Sequence, residues 1–146
     1  MDAPAGGVPQ IEVLAEGLQH PEGPDVMPDG RLVFVEGFRS RVVTWSREQG
    51  VQNFAHVGGK PYAVVVGSDD HLYVTQSTES SGPWTGKYPA PPSIQRVSPD
   101  GSTVEVLCTE VDGVKLSRPN DLTFGPDGRL YFTDSGIWGV PVHTDP

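Results

Sequence analysis

The chain is poor in the residues on which several protein classes depend. A single cysteine, Cys108, excludes an internal disulfide and is interpreted as a packing residue on a buried outer strand. The chain has 10 Lys and Arg against 19 Asp and Glu, for a net charge of -9. A nucleic-acid partner would require a basic surface, so none is predicted. Because no apolar run is long enough to span a membrane, no membrane association is predicted either.

Several catalytic motifs are also missing. The sequence has no Gly-rich phosphate loop followed by a helix, no Gly-x-Ser-x-Gly nucleophile elbow and no paired cysteines for zinc. Its four histidines show no metal-ligand spacing, and none of them is a site candidate.

The first nine residues carry no basic segment ahead of an apolar core, so we expect a cytoplasmic protein. A processed secreted chain would look the same.

The chain does contain one repeated pattern, in which a proline is followed by an apolar run, an Asp turn and a second apolar run. The pattern begins at Pro21, Pro61 and Pro119, and in each copy the turn aspartate comes eight residues after the proline. Such a pattern predicts a β-hairpin. Repeats of roughly 40–50 residues are typical of β-propellers with four-stranded blades. The sequence therefore predicts an all-β fold built from propeller blades.

The repeats divide the chain into an N-terminal tail at residues 1–10 and half of a β-propeller at residues 11–146, with a short leading strand at residues 11–15. The predicted blades are blade 1 at about 21–57, blade 2 at about 61–108 with a long loop at 77–92, and a partial blade 3 at about 119–138. About two and a half to three blades would leave strand edges open, because propellers close with at least about four. We therefore expect the ring to be completed by a second polypeptide, as a separate subunit, a cleaved C-terminal piece or a second copy, or by a C-terminal half that this sequence lacks.

Blade geometry predicts which polar residues share a face. Strands alternate in direction within a blade, so the residues just after each repeat proline, Glu22, Tyr62 and Asn120, should ring one mouth of the central channel. The turn aspartates should lie on the opposite face, where they serve turn formation. The long loop, which carries Trp84 and Tyr88, should stand over the mouth as a lid, as an insertion or as a partner contact.

Two interpretations of this channel mouth fit these residues, a metal site and a polar lining. Glu and Asn side chains that project into one channel supply the oxygen ligands that a hard divalent cation requires. A polar channel lining held by hydrogen bonds needs the same side chains, and the spacing alone leaves both interpretations open. Asp121 could equally cap its own loop, and Asp134 could end a strand.

Three motifs, taken in order, resemble the gluconolactonase/senescence marker protein (regucalcin-like) family. They are LQHPEGP at residues 18–24, SRPNDL at residues 117–122 and PDGRLYFTD at residues 126–134. The resemblance runs over about residues 11–136. It implies a six-bladed propeller and hydrolysis of lactones or related esters. It also implies a divalent metal, most often calcium, with magnesium, zinc or manganese as alternatives.

The resemblance also implies roles for individual residues. Glu22 matches a metal-binding glutamate of the first blade, and Asn120 with Asp121 matches the third-blade residues that line the metal and substrate pocket. Asn120 is therefore a candidate for both metal and substrate binding, and Asp121 is the candidate catalytic carboxylate of this chain. Arg118 lies near a substrate-binding arginine of some members. The family's other ligands, an Asn of blade four and an Asp of blade five that is also the proposed base, would lie beyond Pro146.

The expected activity is metal-assisted hydrolysis of a lactone or ester, available once the propeller is completed. Tyr62 and Trp84 are further predicted substrate contacts, because they stand over the same mouth. One rival interpretation is a non-catalytic propeller that binds a ligand or a partner protein, and another is a propeller of the strictosidine synthase-like type. Lactone hydrolysis that disappears with a chelator and returns with calcium would distinguish the enzyme from the binding module.

Overall fold

Alternating apolar residues and tight turns fold the chain into β-sheets. The computed structural model describes residues 10–77 and 86–136. Its strands are β1 (Pro21–Val26), β2 (Leu32–Glu36), β3 (Arg41–Ser46), β4 (Gly50–His56), β5 (Lys60–Val66), β6 (Leu72–Ser77), β7 (Ser93–Val97), β8 (Val104–Cys108), β9 (Glu110–Val111), β10 (Val114–Lys115), β11 (Pro119–Phe124) and β12 (Leu130–Asp134). Within these ranges no helix is long and apolar enough to cross a membrane.

The strands form repeated antiparallel sheets. Strands β1-β2-β3-β4 make one four-stranded sheet, β5-β6-β7-β8 make a second, and β11-β12 pair as a hairpin. We call these sheets blade 1, blade 2 and blade 3. Strand β5 packs against both β1 and β11, so the first strands of the three blades lie next to one another. The predicted all-β architecture of four-stranded antiparallel blades is confirmed.

The hydrophobic core lies between blades 1 and 2. Val33, Val35 and Val42 of blade 1 form one buried cluster with Leu72 and Val74 of blade 2. β-branched side chains of this kind suit a pleated sheet face, and each stabilises the fold by roughly 1.5–3 kcal/mol when it is fully buried. Because the cluster joins the two sheets, it fixes how their inner strands meet.

The hairpin aspartates serve their turns, as predicted. Asp29, Asp69 and Asp127 each accept a hydrogen bond from the backbone N–H two residues later, at 3.0, 3.3 and 3.1 Å. Asp100 makes the same bond with the N–H of Ser102 at 3.1 Å. These carboxylates are therefore used in local structure.

Asp100 gives a pH-dependent prediction. Hydrogen bonds from the Ser98 hydroxyl and from the N–H and hydroxyl of Ser102 lower the pKa of its carboxyl from 3.8 to about 2. Because the folded pKa lies below the unfolded one, this carboxylate stabilises the fold fully above about pH 4, and the contribution is lost as the pH falls through about 2. Titration of the Asp100 carboxyl carbon by NMR should show the low midpoint. A midpoint near 3.8 would contradict it.

The predicted leading strand at residues 11–15 is wrong. Residues 10–16 have no regular secondary structure, and none of the described strands pairs with them. The segment lies beside blade 1, where the Trp45 indole N–H donates to the Leu14 carbonyl at 3.0 Å and Arg47 pairs with Glu12 at 2.8 Å. Sequence alternation indicates which side chains could share a face, but a strand also needs a neighbouring backbone to bond with.

The outer edge of blade 2 differs from expectation in two respects. Cys108 is half-buried, whereas the sequence predicted a buried position. It lies on β8, the outermost strand, where residues 104–107 are exposed. The small hairpin β9-β10 follows and belongs to none of the predicted blades. It turns at Asp112 and Gly113, whose φ angles are 51° and 81°. An Asp-Gly pair between valines is a strong hairpin signal that the sequence does carry.

Candidate functional site

The three repeat starts are equivalent in structure. Pro21, Pro61 and Pro119 each pair with a residue near the end of the second strand of their blade. A shift of register follows each proline within a few residues, between Glu22 and Asp25, between Pro61 and Ala63, and between Pro119 and Leu122, so all three first strands bulge near this end. A bulge re-aims the side chains beside it. The three predicted ring positions therefore occupy one place in three neighbouring sheets.

His20 links the first two ring positions. Its Nε2 lies 3.9 Å from Glu22 Oε1, and its ring meets the Tyr62 ring edge to face with centroids 5.8 Å apart. The Glu22 side chain remains 48% exposed. His20 shows no ligand spacing in the sequence, so its contact with Glu22 becomes visible only in the fold.

Thr75 links the second and third ring positions. Its hydroxyl accepts the N–H of Ala63, the residue after Tyr62, at 2.9 Å, and donates to the Asn120 carbonyl at 2.5 Å. Together with His20, this contact joins Glu22, Tyr62 and Asn120 along one end of the inner strands. The structure thus brings together the three residues that the repeat position selected.

A close backbone approach explains the glycine after Glu22. Gly23 has a φ of 49°, a left-handed conformation that favours glycine. A Cβ at this position would also clash with the main chain and Cβ of Ala63 on β5. Glu22 is therefore held beside blade 2 by a local geometry that only glycine fits.

A buried lysine stands behind Tyr62. Lys60 is buried, and its Nζ lies 4.8 Å from the centre of the Tyr62 ring and 5.1 Å from that of Phe38. The His20 ring packs against Phe38 with centroids 4.7 Å apart. Cation–π contacts of this kind strengthen away from water. No spacing in the sequence signals the roles of Lys60 and Phe38.

The backbone at Arg118 is fixed by Asp134. The carboxylate of Asp134 accepts the N–H groups of Ser117 and Arg118 at 2.7 and 2.6 Å. The Arg118 carbonyl in turn accepts the N–H of Ser135 at 3.0 Å. Asp134 therefore ends its strand, as one of the interpretations held. The substrate-binding role of Arg118 stays a prediction.

Asp121 lies on the open face of blade 3. Its carboxylate is exposed and accepts the N–H of Leu122 at 2.9 Å. It lines a shallow pocket of about 190 Å³ with residues of both strands, including Tyr131 and Thr133. Its backbone N–H donates to the Thr133 hydroxyl at 3.1 Å. The catalytic role of Asp121 stays a prediction.

The long loop returns to the side of Ser40. Tyr88 donates its N–H to the Ser40 hydroxyl at 3.1 Å and forms an isolated β-bridge with Gly59. Ser40 closes the short turn at Gly37–Arg39. Trp84, the predicted substrate contact in this loop, lies outside the described residues.

The residues fit a hard metal ion in kind but are too few to hold it. Glu22 and Asn120 offer a carboxylate and an amide oxygen, and calcium requires about 6–8 oxygen ligands. Within residues 10–77 and 86–136, no group of three or more His, Cys, Asp or Glu side chains could hold a metal ion. A metal centre at this mouth therefore needs ligands from outside the described residues.

Known proteins resemble the chain over most of its length. The gluconolactonase of Zymomonas mobilis is 26% identical over 138 residues, which cover 85% of this chain and 35% of that protein. Strictosidine synthase-like protein 6 of Arabidopsis thaliana is 25% identical over 131 residues, which cover 86% of this chain and 32% of that protein. A solved gluconolactonase from Xanthomonas campestris has a TM-score of 0.65 and 23% identity, covering 80% of this chain and 35% of that chain.

The structural likeness confirms the propeller fold, and the chain spans about a third of the length of these relatives. The family described as SMP-30/gluconolactonase/LRE-like region matches residues 20–143. That match contains the repeat starts with Glu22, Tyr62 and Asn120. The chain therefore belongs to the SMP-30/gluconolactonase/LRE-like family.

Proposed function

We propose that this chain forms one mouth of a lactone hydrolase that is active once the rest of the propeller completes the ring, either as a second polypeptide or as a C-terminal half of the same protein. The observation that carries the proposal is the half-exposed carboxylate of Glu22 at the repeat position of Asn120, in a chain of this family. The fold does not require a carboxylate there, because Tyr62 and Asn120 fill the position in the other blades. The substrate would be a lactone or a related ester.

The proposed cofactor is a divalent cation, calcium first, with magnesium, zinc or manganese as alternatives. Glu22 and Asn120 would hold it through side-chain oxygens, and the remaining ligands would come from the rest of the propeller. When bound, the cation supplies Lewis-acid polarisation of the lactone carbonyl. Side chains at this mouth of the channel would carry out the other steps of the hydrolysis.

Hydrolysis joins a water oxygen to the carbonyl carbon and breaks the ring C–O bond, while one proton moves from the water to the leaving oxygen. A carboxylate takes the proton from the water and passes it to the leaving oxygen. The family's base would lie beyond Pro146, and Asp121 would be the carboxylate of this chain that shapes the pocket by holding the water or a substrate hydroxyl. The amide of Asn120 and the guanidinium of Arg118 would donate hydrogen bonds to substrate oxygens. Tyr62 and Trp84 would cover the apolar face of the ring.

Lactone turnover is the test of this function. The assembled protein, meaning this chain together with the rest of its propeller, whether continuous with it or a second polypeptide in one complex, should hydrolyse D-glucono-1,5-lactone in a pH-stat assay. Activity should disappear with EDTA and return with calcium, because the chelator removes the proposed cation. Absence of hydrolysis for gluconolactone and for a panel of other lactones and esters would reject the proposal.

A non-catalytic module that binds a ligand through the same mouth is the second candidate. It would use the half-exposed Glu22 carboxylate and the His20 and Tyr62 rings beside it as ligand contacts. Such a module would bind a lactone in titration calorimetry without converting it, with or without calcium.

We also propose a cytoplasmic location, which fractionation of the source cells would check.

A further inference from the structure

The hydroxyl group of Thr75 joins two blades at the mouth. Thr75 lies on β6 and is fully buried. Its Oγ1 accepts the Ala63 N–H at 2.9 Å and donates to the Asn120 carbonyl at 2.5 Å. A hydroxyl carries one proton and two lone pairs, so it can make both bonds at once. One side chain therefore ties the first strand of blade 2 to the first strand of blade 3.

The first of these bonds serves the bulge. The register of β5 against β6 shifts between Pro61 and Ala63, so the regular ladder of backbone bonds is interrupted there. Blade 3 repeats the arrangement, since the Thr133 hydroxyl accepts the N–H of Asp121 at 3.1 Å. The sequences LYVTQ at residues 72–76 and LYFTD at residues 130–134 carry the two threonines. In both blades, therefore, a threonine hydroxyl accepts the backbone N–H at the bulge.

The second bond, from the Thr75 hydroxyl to the Asn120 carbonyl, is additional to that repeated role. Asn120 also lies at a bulge, where the register of β11 against β12 shifts between Pro119 and Leu122. A backbone carbonyl at such a point is not fixed by regular strand pairing. The short bond from the Thr75 hydroxyl restrains this carbonyl. It sets the orientation of the peptide from which the Asn120 side chain departs.

We propose that Thr75 is a positioning residue for Asn120. The inference rests on the proposed function, in which the Asn120 side chain binds substrate and metal. Thr75 acts through the Asn120 backbone, in the way that outer residues orient the direct ligands of a site. Loss of the hydroxyl should therefore weaken substrate binding more than it slows the chemical step.

Three variants of the assembled protein test this role. Thr75→Val removes the hydroxyl and keeps the shape, and Thr75→Ser keeps the hydroxyl. Thr44→Val is the matched control, because Thr44 is equally buried on β3 and its hydroxyl meets Arg31 at 3.4 Å. Thr75→Val removes both bonds of the hydroxyl, and loss of the one to Asn120 should raise the KM for gluconolactone about tenfold, with a smaller change in kcat. Thr75→Ser and Thr44→Val should stay near wild type.

A second readout does not depend on activity. In this chain labelled with carbon-13, the carbonyl resonance of Asn120 should move in Thr75→Val and stay in place in Thr75→Ser. Thr75→Ala, which cannot overpack the site, gives the same comparison should valine disturb the packing. A KM rise together with this movement supports the inference.

The contrary outcomes separate the two claims. If the wild type hydrolyses lactones and Thr75→Val leaves both the KM and the Asn120 resonance unchanged, the inference fails alone. Equal losses in Thr75→Val and Thr44→Val, no rescue by serine, or a fall in kcat without a rise in KM would also overturn it. A wild type that hydrolyses none of the lactones removes the proposed function, and the inference falls with it.

Discussion

Replacement of Glu22 by glutamine should lower both the calcium affinity and the lactone turnover of the assembled protein by roughly a hundredfold or more. Changes to residues that only orient a metal ligand cost about 10–100-fold, so loss of the ligand itself should reach at least the upper end of that range. Glutamine keeps the shape and removes the charge. Titration calorimetry with calcium and steady-state kinetics with gluconolactone measure the two effects.

The fold should survive this change, because the Glu22 side chain is 48% exposed and its Oε1 lies 3.9 Å from His20 Nε2. Thermal unfolding of Glu22→Gln should therefore match the wild type. Glu12→Gln is the control, since Glu12 is an exposed carboxylate paired with Arg47 at 2.8 Å. Calcium affinity that is unchanged in Glu22→Gln would remove Glu22 from the site.

Local signals predicted the blades well. Each hairpin depends on an Asp turn and on alternating residues within about 15 positions, so its signal is contained in a short stretch of sequence. The segment at residues 11–15 shows the limit of this reasoning. Its alternation resembles that of a strand, but a strand exists only where another backbone lies alongside.

The relative positions of the candidate residues were predictable where they follow the repeat. Glu22, Tyr62 and Asn120 share one offset from a proline, and the fold places them beside the bulges of three neighbouring first strands. Contacts between side chains of different repeats are not determined by such an offset. The bond from Thr75 to Asn120 spans 45 residues, and it depends on how two sheets pack. Periodicity carries no information about that packing, although the recurring threonine of LYVTQ and LYFTD was a usable signal.

The burial of Lys60 is a second feature that the sequence does not predict. It precedes a repeat proline and reads as an ordinary exposed lysine in the sequence. In the fold it is buried between the rings of Phe38 and Tyr62, and those residues lie 22 positions before it and two positions after it. Burial of a charged group at such a point follows from the packing of blade 1 on blade 2, and a single repeat cannot reveal it.

Glu36→Ala should destabilise the fold by about 3 kcal/mol, the largest loss of stability that we expect from one polar side chain. The carboxylate of Glu36 is fully buried and accepts hydrogen bonds from Arg39 at 2.9 Å, Arg41 Nε at 2.7 Å and the Gln19 N–H at 2.8 Å. Removing one partner of a buried ion pair costs roughly 3–5 kcal/mol. The lower end applies because Arg39 and Arg41 are 36% and 21% exposed and can turn towards water.

Urea unfolding of this chain measures the loss, and Glu105→Ala is the matched control. Glu105 pairs with Arg96 at 2.7 Å on the strands of blade 2, but both side chains are partly exposed, so its loss should cost less than about 1 kcal/mol. Equal losses in the two variants would show that burial does not set the strength of the Glu36 contacts. Because Glu36 also holds Gln19, three residues before Glu22, its removal should loosen the segment that carries the proposed metal ligand.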